Sequence, residues 1–442
     1  MHHQNLNAEP TKGNANSKEQ FEQALLIGTQ AYIWGYSLVV LKRTLRKSAA
    51  RRGTPLNQFA HAKRLATPQS KAVVSPNTDT LYSSAWLDLR QEPIILHVPN
   101  TQGRYYSVQF MDAYTNSFAY VGRRVTGTKE GNYAIVGPAW RGILPPNVQA
   151  IKSPTNTVWS LVRILVEGED DSSVARALQQ QYTLTSLSKY SGTAPSGQVL
   201  PSPLPQANAS GSLQFYDELS AAIQVDPPPE DENPLLSLFA QVGIGANRIP
   251  SQEIQDQATL DGLKLAILEA ERLIDEKVSN LGMMVNGWRV NYQIGTYGKD
   301  YLLRAAVAKT GLAANTPEES MHFRAYVDGT DQPLSGANRY VLRFKPGRLP
   351  PVDAFWSLTI YGLDGFLVPN PINRYSIGDR TKNLQYNTDG SFDIYIQHQV
   401  PVGKESNWLP APTQGFYLSL RAYQPNAELL TGAYKVPALQ RV

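Results

Sequence analysis

The spacing of apolar residues changes twice along this 442-residue chain, and these changes limit the folds that it can adopt. Between residues 71 and 166, and again from about residue 322, apolar and polar residues alternate with the period of two that β-strands show. Between these blocks the apolar residues recur at helical spacing. The predicted helices lie at residues 173–186, 212–225, 233–243, 256–280 and 299–311. Strands and helices that are segregated along a chain favour an α+β fold over alternating βαβ units.

A further helix is predicted before the first β block. Ser17 and Gln20 fit a capping box, and the apolar pattern continues to about Ala49. We therefore predict an N-terminal helix plus β-rich domain, a helical middle segment and a C-terminal antiparallel β-sandwich-like domain. The predicted segments are a disordered start at 1–16, an α+β domain at 17–190, a helical connecting region at 191–320 and a β-sandwich-like domain at 321–442. A loop rich in Pro, Ser and Gly opens the third segment, at 191–211.

The composition excludes several classes of protein. The chain has no cysteine, which rules out disulfides, thiolate metal sites and a cysteine nucleophile. No run of 18 apolar residues occurs, so we expect no membrane span. The first twenty residues are polar and lack the apolar segment of a signal peptide, so a cytoplasmic location is expected. The alternative is a periplasmic or secreted protein whose signal has been removed.

The positive charge of the chain is uneven, although its net charge is only +4. Residues 23–78 contain nine Lys and Arg and no Asp or Glu. Four of these cations close the predicted N-terminal helix, where they complement the carbonyl end of its dipole. We therefore expect no nucleic-acid partner. The alternative, an anionic partner for this segment, predicts salt-sensitive retention on heparin.

Local motifs for metals, nucleotides and acyl transfer are missing. The six histidines show no metal-ligand spacing, and we predict no metal site, although ligands gathered from distant residues stay possible. The segment "VGIGANR" lacks the third glycine of a dinucleotide fingerprint, and no phosphate loop occurs, so we predict no cofactor. No Gly-x-Ser-x-Gly elbow occurs, which weighs against an α/β-hydrolase.

Polar and aromatic residues gather at the ends of the predicted strands. In "SPNTDTLYSSAWLDL", Asn77 and Asp79 lie in a turn, and Tyr82 and Trp86 share one face of the strand that follows. Further clusters contain Tyr105 with Asp112, and Asn370 with Arg374. A pocket with aromatic walls and a few convergent polar groups is one interpretation. The other is structural, since Asn and Asp cap turns and Arg374 can pair with Asp79 or Asp112.

Long segments of the chain resemble a known bacterial family. "NQFAHAKRLATP", "VVSPNTDTLYSSAWLDL", "GRYYSVQFMDAYTNSFAYVG" and "VWSLVRILV" resemble domain of unknown function 1254. "LPPVDAFWSLTIYGLDGFLVPNPINRYSIGDR", "YNTDGSFDIYIQ" and "NWLPAPTQGFYLSLRAY" resemble its usual C-terminal partner, domain of unknown function 1214. The resemblance implies an N-terminal α+β part and a C-terminal β-sandwich-like part. It also implies export, from which the polar start departs. It directs attention to His61, Asn77, Asp79, Tyr82, Trp86, Trp356, Asn370 and Arg374.

Two hypotheses about function follow. The first is an enzyme that acts by acid–base chemistry, such as hydrolysis, elimination or cyclisation, on a small, partly apolar organic molecule. Asp79 is the predicted base, His61 or Tyr82 its proton relay and Arg374 the anion partner. The predicted substrate contacts are Asn77, Trp86, Tyr105, Asp112, Trp356 and Asn370. The second hypothesis is a non-catalytic binding or scaffold protein for a carbohydrate, a hydrophobic ligand or a second subunit in a homo-oligomer. Aromatic rings exposed on an open surface favour the second hypothesis, and a closed pocket favours the first.

Overall fold

The structure is a computed structural model, and it describes residues 12–194 and 211–442. Residues 1–11 of the predicted disordered start, and most of the Pro/Ser/Gly-rich loop, lie outside the described residues. The helices are α1 (Lys12–Arg52), α2 (Ser172–Gln179), α3 (Leu187–Ser191), α4 (Gln214–Val225), α5 (Asn233–Ala240), α6 (Pro250–Glu253), α7 (Gln257–Ser279), α8 (Tyr301–Gly311) and α9 (Ala427–Leu430).

The strands follow the predicted blocks and add shorter pieces between them. They are β1 (Ala60–His61), β2 (Thr80–Asp88), β3 (Ile94–Val98), β4 (Tyr106–Met111), β5 (Ser117–Gly122), β6 (Gly131–Val136), β7 (Val148–Lys152), β8 (Thr157–Leu165), β9 (Thr183–Ser186), β10 (Met283–Val285), β11 (Trp288–Val290), β12 (Ser320–Ala325), β13 (Tyr340–Phe344), β14 (Val352–Gly362), β15 (Ser376–Gly378), β16 (Phe392–Gln397), β17 (Trp408–Pro410), β18 (Phe416–Pro425) and β19 (Gln440–Arg441). The predicted α+β class is confirmed.

Each β block forms two sheets that pack face to face. In the N-terminal block, a five-stranded sheet of order β1-β2-β8-β4-β5 packs on a four-stranded sheet of order β7-β6-β3-β9. In the C-terminal block, a six-stranded sheet of order β10-β11-β12-β18-β14-β15 packs on a four-stranded sheet of order β17-β16-β13-β19. Each pair encloses its own apolar core, because alternate residues of the facing strands point inward.

The helices form a separate layer in which α1 packs along α7 and α8 and also contacts α4. Helix α1 begins at Lys12 rather than at the predicted Ser17, so Ser17 lies inside the helix and is not a capping residue. By length and composition, Asn16–Arg51 is a helix that can cross a membrane, and 61% of its most apolar window is buried inside the protein. Core helices of soluble proteins and signal sequences share these properties.

Two predictions of helix are wrong in detail. The predicted helix at 173–186 ends at Gln179, and Thr183–Ser186 form β9 on the edge of β3. The predicted helical region at 191–320 contains β10 and β11, which extend the six-stranded C-terminal sheet. These strands have three or four residues, too few to show alternation, and they form because a neighbouring strand supplies their hydrogen bonds.

Candidate functional site

The six-stranded C-terminal sheet has one apolar face and one polar face. Met321, Phe323, Leu418, Leu420 and Leu358 point into the sandwich core. The alternate residues point away from it, and the antiparallel register aligns them in rows across β12, β18 and β14. The rows are Ser320–Tyr423–Phe355, His322–Arg421–Ser357 and Arg324–Ser419–Thr359. A polar face of this kind must be satisfied by another part of the protein, by water or by a ligand.

The five-stranded N-terminal sheet also presents polar residues on the face opposite its core. Leu81, Ser83 and Ala85 of β2 are buried toward the sandwich, as the alternation predicts. On the other face Tyr82 lies directly across from Arg163 of β8, and Ser107 of β4 is next in the row. Strand β2 therefore carries its polar turn and Tyr82 toward the C-terminal half of the chain.

The two polar faces meet at the turn that precedes β2. The Asn77 amide donates a hydrogen bond of 2.6 Å to the hydroxyl of Tyr423, and the Ser357 hydroxyl donates one of 2.6 Å to an Asp79 carboxylate oxygen. The Asn77 side-chain oxygen accepts from the backbone N–H of Asp79 at 2.6 Å. Asn77 and Asp79 thus fix the two sheets relative to each other. We call the region between these faces the intersheet site.

Arg163 lies on the N-terminal side of the intersheet site and is almost fully buried. Its guanidinium donates to the side-chain oxygens of Gln109 at 2.9 Å and Asn315 at 3.1 Å, and to the Tyr82 hydroxyl at 3.2 Å. Within residues 12–194 and 211–442 it forms no ion pair with a carboxylate. A buried cation that has only neutral partners keeps much of its desolvation cost.

Arg421 lies on the opposite side and is equally buried. It donates to the Thr359 hydroxyl at 3.0 Å, the Tyr361 hydroxyl at 2.8 Å and the Ser75 backbone carbonyl at 2.9 Å. No carboxylate of the described chain forms an ion pair with it either. Each of the two sheets therefore brings to the site one buried guanidinium that has no ion-pair partner in the described chain.

Strand β12 supplies two further groups, His322 and Arg324. The His322 ring is reached by solvent, yet burial lowers its pKa well below 6.5, and the charges of Arg421, Arg324 and Arg163 lower it further. The ring therefore lies close enough to all three guanidinium groups for their charges to oppose its protonation. Arg324 is half-buried and has no hydrogen bond or ion pair within the described residues. Ser419 lies in the same row as Arg324, and its buried hydroxyl has no hydrogen-bond partner among the described residues.

Tyr82 is the tyrosine at the site whose acidity is increased. Burial opposes its ionisation, but the adjacent Arg163 charge and hydrogen bond, the Arg421 charge and the Asn77 amide together lower its pKa below the usual value. The Asn77 amide donates hydrogen bonds to both Tyr82 and Tyr423. The pKa of Tyr423 is raised by burial and by the nearby Asp79 charge. The two hydroxyls therefore differ in acidity, since the pKa of Tyr82 is lowered and that of Tyr423 is raised.

Asp79, the predicted base, is fully engaged at the site. One carboxylate oxygen accepts from Arg380 at 2.6 Å, and the other accepts from Ser357. The Arg380 guanidinium also lies over the ring of Phe355, with 4.3 Å between its central carbon and the ring centroid. Because both oxygens have strong donors, Asp79 joins the two halves of the chain and is poorly placed to take a proton.

The other two predicted catalytic residues lie elsewhere. His61 of β1 shares a hydrogen bond of 2.8 Å with the Ser83 hydroxyl, on the opposite face of β2 from Tyr82. Arg374 donates to the backbone carbonyls of Glu405, Ser406 and Trp408, and within the described residues it forms no ion pair with Asp79 or Asp112. Its guanidinium holds a loop of the C-terminal half, whereas Arg380, six residues later, pairs with Asp79.

The predicted substrate contacts divide between the site and structural positions. Asn77 lies at the intersheet site, and Tyr105 closes one end of it, with its hydroxyl donating to Glu319 at 2.7 Å. Trp86 stacks on Trp159, Trp356 is in the core of the C-terminal sandwich, and Asn370 closes a turn by accepting from the backbone of Arg374. Asp112 accepts two backbone N–H groups of its own turn, and burial raises its pKa to about 6.

Sequence reasoning missed Arg163, Arg324, Arg421 and His322. Each lies within a strand, between apolar neighbours, in the segments "LVRILV", "HFRA" and "LSLRAY". A single cation in such a strand signals either an exposed face or a buried charge that needs a partner. That signal was available, but the sequence does not tell which strands meet across the domain boundary. In the described part of the chain, no group of three or more His, Asp or Glu residues could hold a metal ion.

The two family models that match the chain fall on its two β blocks. Residues 56–186 match the model of DUF1254, described as a protein of unknown function, and residues 319–427 match DUF1214, described in the same way. The crystal structure of the VPA0106 protein from Vibrio parahaemolyticus is similar, with 26% identity and a TM-score of 0.76 over 95% of this chain and 100% of that one. A Burkholderia cenocepacia protein has 12% identity and a TM-score of 0.46 over 97% and 96% of the two chains. No curated protein matches the chain.

Proposed function

Because this chain belongs to the family in which DUF1254 is followed by DUF1214, and the matched regions include the two polar faces, we propose that its function resides between them. The proposed function is to bind a small organic anion in the intersheet site and to transfer a proton to or from it through Tyr82. This is the acid–base enzyme of the first hypothesis, with Tyr82 in place of Asp79 as the base.

One observation carries the proposal: the site contains more cations than the described protein neutralises. Among the residues that the structure describes, Arg163 and Arg421 are buried without carboxylate partners, and Arg324 has no hydrogen bond or ion pair. The nearby acid, Asp79, is paired with Arg380. Guanidinium groups bind carboxylates and phosphates through two parallel hydrogen bonds, so an anion bound between Arg324 and Arg421 would supply the missing charge. The unpartnered Ser419 hydroxyl is a further donor in the same row.

The chemistry follows from the acidity of Tyr82. As the phenolate, it can remove a proton from an atom beside the anionic group of the ligand. The proton passes to the Tyr82 oxygen, and the electron pair stays on the ligand, where the guanidinium charges stabilise it. Elimination and cyclisation both begin with such a step. His322 stays neutral at physiological pH because its pKa is strongly lowered, so it offers a hydrogen bond rather than another charge.

Anion binding is tested with Arg324→Gln. Arg324 is the best choice because it has no described partner, so its replacement leaves no other buried group unsatisfied. We expect calorimetry with a set of small carboxylates and phosphates to find binders to the wild type. For these binders, Arg324→Gln should weaken affinity about tenfold to a hundredfold, the usual effect of losing a charge-assisted hydrogen bond.

The matched control is Arg348→Gln, at an exposed arginine that pairs with Glu428 and is not one of the site residues. It should leave the affinity unchanged. If no anion of the set binds, or if the two variants bind equally well, the intersheet site is not an anion site.

Proton transfer is tested separately with Tyr82→Phe. In deuterium oxide, we expect the wild type to exchange a C–H proton of a bound anion for deuterium, as proton NMR detects. Tyr82→Phe should bind the same anion within a few-fold and lose the exchange. Exchange that persists in Tyr82→Phe would exclude Tyr82 as the base. Binding without exchange, even in the wild type, would favour the second hypothesis, a non-catalytic binding protein.

A further inference from the structure

The polar face of the C-terminal sheet ends in a row of tyrosines. Tyr326, directly after β12, stacks on Tyr417 of β18 with ring centroids 4.9 Å apart, and Tyr417 stacks on Tyr361 of β14 at 5.2 Å. The planes of both pairs differ by only 21°. This row continues the alternation of the sheet, two residues beyond Arg324 on one strand and four beyond Arg421 on the next.

Exposed apolar side chains surround the middle ring of this row. Tyr326 is 45% exposed, Val74 is 52% exposed and Leu363 is 68% exposed. The Val74 side chain and the Tyr417 hydroxyl both lie close to Gly365: a Cβ atom added to this glycine would be 3.1 Å from Val74 and 3.9 Å from the Tyr417 hydroxyl. Leu363 packs over Gly415, two residues before Tyr417. We call Val74, Tyr326 and Leu363 the apolar rim.

The apolar rim lies close to the cations of the intersheet site. A β-strand rises about 3.3 Å per residue, so the tyrosine row is about 7 Å from Arg324 and about 13 Å from Arg421 along their strands. Isolated apolar residues on a surface need no explanation, but several beside one row of rings, next to a group of cations, indicate a ligand with two different ends.

We propose that the ligand of the intersheet site is an amphiphile, a small carboxylate or phosphate with an extended apolar tail. The anionic head lies between Arg324 and Arg421, and the tail extends along Tyr326 toward Val74 and Leu363. This inference rests on the proposed function, since it takes the anion from there. It adds the class of molecule and assigns the apolar rim as the surface that selects for the tail.

The test is a series of straight-chain carboxylates, from acetate through butanoate and hexanoate to octanoate, with dissociation constants measured by calorimetry. Burying one methylene contributes about 0.8 kcal/mol, which corresponds to about a fourfold gain in affinity for each carbon that contacts the rim. We expect the affinity to rise steadily along the series and then to level off where the tail passes Leu363.

Leu363→Ser and Tyr326→Ala should flatten this dependence while leaving the affinity for acetate unchanged. Leu363→Ser is the safer variant for folding because the side chain is mostly exposed. Leu268→Ser on α7 is the matched control, since Leu268 is 63% exposed and lies outside the rim. It should retain the full dependence on chain length.

The outcomes separate this inference from the proposed function. If acetate and octanoate bind equally well and both need Arg324, the anion site stands and the amphiphile is refuted. If octanol, which has no charge, binds as tightly as octanoate, the anionic head is unnecessary and the inference is refuted. If octanoate binding survives both Arg324→Gln and Leu363→Ser, the molecule binds elsewhere, and both proposals fail for it.

Discussion

Replacing Asp79 by Asn is expected to weaken the attachment of the two β blocks. Asp79 is 3% exposed, and it accepts hydrogen bonds of 2.6 Å from both Arg380 and Ser357. Removing one partner of a fully buried ion pair costs about 3–5 kcal/mol, because the other charge is left uncompensated. The Arg380 side chain is 21% exposed and also donates to the Val166 carbonyl, so part of its charge stays solvated. We therefore expect the free energy of unfolding to fall by about 2–3 kcal/mol.

A double-mutant cycle measures the interaction itself. Asp79→Asn, Arg380→Gln and the double variant are unfolded in urea and followed by tryptophan fluorescence. The second substitution should cost much less in the presence of the first, giving a coupling free energy of at least about 1 kcal/mol. The control cycle uses Arg348 and Glu428, which are 51% and 47% exposed, and its coupling should lie below about 1 kcal/mol and fall with added salt.

The assignment of Asp79 as the link between the blocks would be refuted by additive effects of Asp79→Asn and Arg380→Gln. It would also be refuted if Asp79→Asn retained full stability but lost proton exchange with a bound anion. That second result would return Asp79 to the role of base, which its two strong donors argue against.

Two further predictions concern titration. Tyr82 should be among the first tyrosines to ionise as the pH rises, because the charge of Arg163 lowers its pKa. In a titration followed by phenolate absorption, Tyr82→Phe should therefore remove the part that appears at the lowest pH. Tyr417→Phe should leave that part unchanged, because the Tyr417 hydroxyl has a pKa of about 12. Burial raises the pKa of Asp112 to about 6, so the folded state holds this proton more tightly than the unfolded state, and its ionisation destabilises the fold as the pH rises from about 4 to 6. Asp112→Asn removes that penalty. The free energy of unfolding of the variant, measured in urea and compared with that of the wild type, should therefore rise by up to about 3 kcal/mol between pH 4 and 7. Asp256→Asn, at an exposed carboxylate whose pKa is lowered by hydrogen bonds from Thr259, should show no such improvement, and a lack of improvement for Asp112→Asn would contradict the reasoning.

The long strands and helices were predictable because each carries its own periodicity. The alternation in "LYSSAWLDL" predicts both the strand β2 and the face on which Tyr82 lies, and "AFWSLTIYG" and "GFYLSLRAY" do the same for β14 and β18. The short strands β9, β10 and β11 were not predictable, because they depend on an edge that another part of the chain supplies. Local pattern thus determined the elements that have enough residues to display it.

The candidate site was predictable only in part, because it lies between two regions that are distant in sequence. The turn that contains Asn77 and Asp79 was identified correctly as a point of interest, since its polar residues stand beside an apolar strand. The partners of that turn, Ser357 and Arg380, lie about 300 residues away, and no local pattern pairs them with it. The sequence analysis made His61 a partner of Asp79, whereas the pairing of β1 with β2 places His61 beside Ser83, on the face opposite to Tyr82.

The cations of the intersheet site raise a question of stability that bears on function. Burying a charge without an ion-pair partner costs free energy, and the hydrogen bonds that Arg163 and Arg421 make to neutral groups recover only part of that cost. Their charges face each other across two sheets, in a region where the Ser419 hydroxyl also has no described partner. While Tyr82 is protonated, neutral hydrogen bonds hold the guanidinium groups in position without cancelling their charge, which is the arrangement that a preformed anion site requires. The stability that these groups cost the unliganded protein would be recovered when an anion binds, because a ligand that binds only the folded state stabilises it.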